Sequence, residues 1–157
     1  MKKLLTAAML FALSCQTMAV AKKMTITLYF ADQEAMQFVT EKRSILLAPD
    51  EQVERVILRE LALGPKRKKH SRIMGYYCEP LSIVVKEQIA YLNFPQDFYL
   101  KNRSGTTGEL FLVGGIVNSL LELPHIAGVQ FLVAGEIEEA AFGHWDTERP
   151  FKKRLKY

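Results

Sequence analysis

Few residues in this 157-residue chain are placed to do chemistry. His144 and Asp146 lie two apart and would share one face of a strand, where an imidazole and a carboxylate can serve a metal or relay a proton. Two ligands are too few for a specific metal site, so the pair is read as hydrogen bonding within the closing segment. Gly105-Thr106-Thr107-Gly108 stands before an apolar run and could hold an anion at a helix N-terminus. It lacks the lysine and the spacing of a phosphate-binding loop, which leaves helix capping as the reading. No G-x-S-x-G elbow is present among the serines and threonines near glycine. The two cysteines, Cys15 and Cys78, form no metal-ligand cluster. No cofactor, no metal site and no enzymatic activity are expected.

The surface chemistry is cationic. Lys66, Arg67, Lys68, Lys69 and Arg72 form a basic loop, and Lys152, Lys153, Arg154 and Lys156 form a basic tail. The loop is a solvated segment whose charge suits a helix C-terminus, or else a contact for anionic lipid or wall polymer. Nucleic acid is not expected, because no aromatic stacking platform is interleaved with the charge.

Elements that would position these groups follow from periodicity. Met24–Phe30 alternates as a strand, and a shorter strand is expected near Lys42–Leu47. Asp50 reads as the N-cap of a helix carrying Val53, Val56, Ile57 and Leu61, which Gly64 closes and Pro65 prevents from continuing. Leu81–Val85 and Ile89–Phe94 predict a hairpin without the Asn-Gly or Asp-Gly that a tight turn prefers. Gln96–Gly105 reads as a loop. Thr106 and Glu109 have capping-box spacing before a helix over about Glu109–Leu123 that is apolar almost all round and therefore buried. Gly114-Gly115 in its middle implies close approach of helix to sheet. Gly128–Ala134 predicts a buried strand, Gly135 a turn, and Ile137–Phe142 either a short strand or an irregular edge. The expected fold is α+β: a two-layer sandwich with two helices on one face of a small mixed sheet. Residues 22–150 form the domain, and 151–157 a basic tail with a poorly ordered end.

The first 21 residues have the anatomy of an export signal. Lys2 and Lys3 precede an apolar run, Leu4–Leu13, and Ala19-Val20-Ala21 supplies small residues for cleavage after Ala21 or Ala19. Cys15 after Ser14 is an alternative, lipidated site. The apolar run is shorter than the roughly 20 residues of a spanning helix, which argues against an uncleaved anchor. Removing Lys2 and Lys3 lowers the net charge from +4 to +2. Export to a periplasm or cell envelope argues against ATP, nicotinamide cofactors and chromosomal DNA as ligands. It leaves envelope proteins, peptidoglycan and anionic lipid.

With these residues in place, the chain resembles the GerM-type (GerMN) domain of sporulation and spore germination proteins. The similarity rests on Ile26-Thr27-Leu28-Tyr29-Phe30, on Leu61-Ala62-Leu63-Gly64-Pro65, and on the hairpin Ser82–Val85 with Ala90–Phe94. It continues through Ile116–Leu120, Leu123-Pro124, Gly128-Val129-Gln130 and Ala134-Gly135, and closes on Gly143-His144-Trp145-Asp146 and Pro150. It covers about Met24–Pro150. The hairpin turn departs from the family pattern, and one domain stands where some relatives carry two. The resemblance implies a ring-building-like order of helix, hairpin, helix and strand with an added N-terminal strand. It further implies an exported, non-catalytic module that associates with other proteins or with itself in the envelope.

Overall fold

The computed structural model describes residues 20–157. The leader reading, with Cys15 and most of the cleavage region, lies outside them. β1 (Lys22–Asp32) and β2 (Phe38–Leu47) pair along their whole length as an antiparallel ribbon. Both run beyond their expected bounds. The polar residues that hid β2's start, Thr40 and Lys42, simply face solvent. Asp32 Oδ1 accepts from the amides of Met36 (2.7 Å) and Gln37 (3.3 Å) and folds the connecting turn.

α1 (Val53–Leu63) buries Val53, Ile57, Leu58 and Leu61. Its N-cap is Gln52, not Asp50, and no side chain caps it. Gly64 ends it as expected, with φ +86° and its amide donating to Leu61 O. A two-residue strand, β3 (His70–Ser71), pairs with the end of β1. β4 (Ser82–Lys86) and β5 (Ile89–Phe94) form the expected hairpin. Its turn residues Glu87 (φ +51°) and Gln88 (φ +62°) both occupy positive φ, the region that Asn and Gly would fill with less strain.

Gln96–Lys101 is a helix, α2, where a loop was expected. Six residues are too short to show a period, and a helix of that length needs tertiary packing to persist. Phe98 and Tyr99 supply the packing. They sit in an aromatic cluster with Phe94, Phe131 and Phe142, and the Tyr99 hydroxyl donates to Leu132 O at 2.7 Å.

α3 (Thr106–Leu120) starts three residues earlier than expected. Gly105 is its N-cap, and the Thr106–Glu109 capping box does not form. It is buried nearly all round and packs on α1, β1 and β6. A Cβ added to Gly115 would lie 2.9 Å from the Tyr29 carbonyl and against Ile73, so the glycine pair marks the expected helix-to-sheet approach. Leu121 caps α3, ahead of Pro124. β6 (Gly128–Val133) adds to β5 in parallel. Ala134 and Gly135 turn the chain, and the segment beyond is irregular apart from isolated bridges of Glu136 to Val133 and of Phe151 to Val129.

The class is α+β, arranged as two three-stranded sheets, β2-β1-β3 and β4-β5-β6, with three helices. The C-terminal run packs onto this body. Phe151 bridges Val129, Asn118 binds both backbone groups of Leu155, and Tyr157 stacks on Phe111.

Candidate interaction surface

The basic loop between α1 and β3 is built around one carboxylate. Glu41 on β2 is 5% exposed. It accepts from the amides of Lys66 (3.0 Å) and Arg67 (2.9 Å), from Arg43 Nη2 (3.0 Å), and faces His70 Nδ1 at 3.1 Å. Burial alone would raise its pKa. The two amides and the Arg43 guanidinium outweigh burial and bring it from 4.5 to about 2. Arg43 is itself consumed: it also binds Glu60 Oε2 (2.7 Å), Glu60 O and Gly64 O, while its ring-facing side lies over Phe30. The loop backbone is thus fixed by ionic hydrogen bonds. The side chains of Lys66, Arg67, Lys68 and Lys69 are exposed, and among the described residues none of the four forms an ion pair.

Arg72 differs from these four. Its guanidinium donates to Ala62 O and Leu63 O, the end carbonyls of α1. A cation there completes the helix terminus. The structure therefore brings together Lys66–Lys69 as a cationic group and turns Arg72 back onto the fold.

His144 and Asp146 do not converge. The His144 amide and Nδ1 bind the two oxygens of Glu109, at 3.0 and 2.9 Å, and Glu109 is only 1% exposed. Asp146 Oδ1 accepts from the Glu148 amide at 2.9 Å. Gly143, at φ +123°, makes room: a Cβ there would sit 3.2 Å from Glu109 Oε1. The Gly143-His144 element is therefore a clasp on the first turn of α3. His125 similarly meets buried Glu54 at 2.7 Å. No three His, Cys, Asp or Glu among the described residues are grouped to hold a metal. Cys78 is half-buried, and burial pushes its thiol up, away from reactivity.

Thr107 and Gly108 of the Gly105–Gly108 segment border a cleft of about 420 Å3 with Arg72, Asn102 and Arg103. Asn102 was not singled out by its sequence context. Its carbonyl accepts from the Gly75 and Tyr76 amides, and its amide donates to Tyr76 O and Phe98 O. All of its polar capacity ties the segment after β3 to α2.

Four solved chains match this fold, among them these three. A candidate lipoprotein from Clostridium perfringens is 24% identical, with a TM-score of 0.58 over 83% of this chain and 88% of that one. The tandem GerMN domains of the sporulation protein GerM from Bacillus subtilis give 19% identity and a TM-score of 0.62 over 88% of this chain, which spans 48% of theirs. The first of those domains alone gives 16% identity and 0.58, with 84% and 96% covered. The chain thus corresponds to about half of the tandem protein. No curated protein matches the sequence. The profile described as Germane, sporulation and spore germination, matches residues 27–139, most of the chain, from within β1 to beyond β6. By that match this chain belongs to the sporulation and spore germination family that contains the GerMN domains.

Proposed function

We propose that this protein is an exported, non-catalytic module that associates with other proteins of the bacterial cell envelope or with itself. The family match over residues 27–139 carries the reading. The geometry supports it, because the histidines and buried carboxylates are engaged in holding elements together while the cations of the loop at 66–69 are left outside. The sequence of residues 1–21 supplies the export address, with Cys15 as a route to lipid attachment. In-cell cross-linking of a tagged full-length chain is the test. Reproducible capture of one or a few envelope proteins, or of a second copy, is the expected result. A tagged protein that stays monomeric and uncross-linked in the envelope fraction, or one confined to the cytoplasm, overturns it.

A second reading has its own observation. Four exposed cations on a fixed backbone suit peptidoglycan or anionic lipid. Lys66→Glu, Arg67→Glu, Lys68→Glu and Lys69→Glu together then abolish sedimentation with cell wall or anionic vesicles. Unchanged sedimentation removes this alternative.

A further inference from the structure

The edges of the two sheets are treated unequally. β3 is only two residues long. β6 is covered by Phe151, whose amide and carbonyl both bond to Val129. On β4, Gln52 Nε2 occupies the Ile83 carbonyl at 3.1 Å. On the side of β1 away from β2, the Tyr29 amide donates to Ser119 Oγ at 2.9 Å. Such covering is how folded proteins blunt exposed strands.

β2 keeps the longest bare edge among the described residues. The Asp32 amide donates to Gln37 O, which makes that pair a hydrogen-bonded one. Alternation along the register then points the backbone of Phe38, Thr40, Lys42, Ser44 and Leu46 away from β1. The outward Tyr29 amide, opposite Thr40, agrees with this phase. Among the described residues, nothing pairs with these groups along a ten-residue strand.

Cations outnumber acids beside this edge. Lys42 projects from its middle, exposed. Lys66 and Arg67 lie one carboxylate away from β2, because their amides bind Glu41. The nearby acids, Glu41 and Glu60, are both held by Arg43. A second copy paired about the strand's midpoint would oppose Lys42 to itself, and like charges directly opposed repel. An extended acidic segment meets complementary charge instead.

We infer that the outer edge of β2, with Lys42 and the Lys66–Lys69 loop beside it, accepts an extended acidic segment of a partner protein by strand addition. This rests on the association reading and names the partner's chemistry. Main-chain hydrogen bonds along the edge supply affinity, and the cations select the segment.

The test uses the folded mature chain and a capped ten-residue peptide of alternating Glu and Val. Amide exchange is followed by NMR. Binding is expected to slow exchange at Thr40, Lys42 and Ser44 at least about tenfold while Glu41 and Arg43 stay unchanged, and to weaken as salt rises. The same peptide N-methylated at every residue keeps its charge but has no amide left to donate on either edge, and is expected to bind at least about tenfold more weakly. Equal binding of the methylated peptide, protection on β4 instead, or no binding overturns the inference. So does a preference of Lys66–Lys69 for phosphatidylglycerol vesicles over the peptide. Cross-links to envelope proteins through other faces would overturn this inference and leave the association reading standing.

Discussion

The loop at Lys66–Lys69 and the tail at Lys152–Lys156 have nearly the same composition and are tethered in different ways. The loop is held by its backbone: Glu41 takes two of its amides, and the cationic side chains remain in solvent. In the tail, charge and ring are part of the attachment. Arg154 pairs with Glu122 at 2.6 Å and lies over the Tyr29 ring, while Tyr157 stacks on Phe111. Backbone attachment is confined to Leu155, held by Asn118, and to Phe151 just before the basic run, held by Val129. A basic run is therefore a surface or a strap according to which of its atoms the rest of the fold engages. The difference teaches that charge density alone does not identify a binding surface. The backbone must be fixed by something other than the charges.

The sharpest way to break this contrast is Glu41→Gln. The native carboxyl titrates at about 2 against an ordinary 4.5, so the native state holds its proton less tightly than the unfolded chain. The stabilisation is full above about 4.5 and disappears as pH falls towards 2. A loss on the order of 3 kcal/mol is expected at neutral pH, with wild type and variant converging across that window in denaturant titrations. A constant gap down to pH 2 would mean that Glu41 acts by shape alone.

Asn118→Ala is next. Asn118 is 1% exposed, and the change removes both hydrogen bonds to Leu155. About 2 kcal/mol is expected, together with release of the tail to carboxypeptidase. A tail that stays protected would show that Phe151 and Tyr157 suffice.

Arg72→Ala should cost about 1 kcal/mol, because α1 loses the cation on its last carbonyls while the loop at 66–69 keeps its Glu41 anchor. Thermal unfolding measures this, and the Lys66 and Arg67 amides should remain protected from exchange.

The smallest effect on stability is expected for the fourfold reversal of Lys66, Arg67, Lys68 and Lys69 to Glu. Their side chains support nothing in the fold, so the change should stay within about 0.5 kcal/mol. A larger loss would place the loop in the same category as the tail.

Local rules were enough for the hairpin Ser82–Phe94, the Gly64 stop, the buried helix at Thr106–Leu120 and the strand at Gly128–Val133. Each is written in a periodicity or a backbone preference that neighbours in sequence express by themselves. The basic surface was legible as composition. Its anchor was not, because Glu41 and Lys66 lie 25 residues apart and nothing in either neighbourhood points to the other. The same holds for Asn102 across 26 residues and for Glu109 with His144 across 35.

The sequence by itself determined the α+β class, the family and the cationic character of the loop. The tertiary structure decided that α2 is a helix, that the tail is bound, that His144 clasps Glu109, and that β2 keeps the longest open edge among the described residues. The reason is range. Periodicity and caps act over a turn or a strand. Burial of Phe98 and Tyr99, pairing of carboxylates with distant amides, and the covering of sheet edges depend on which segments meet only after the chain has folded.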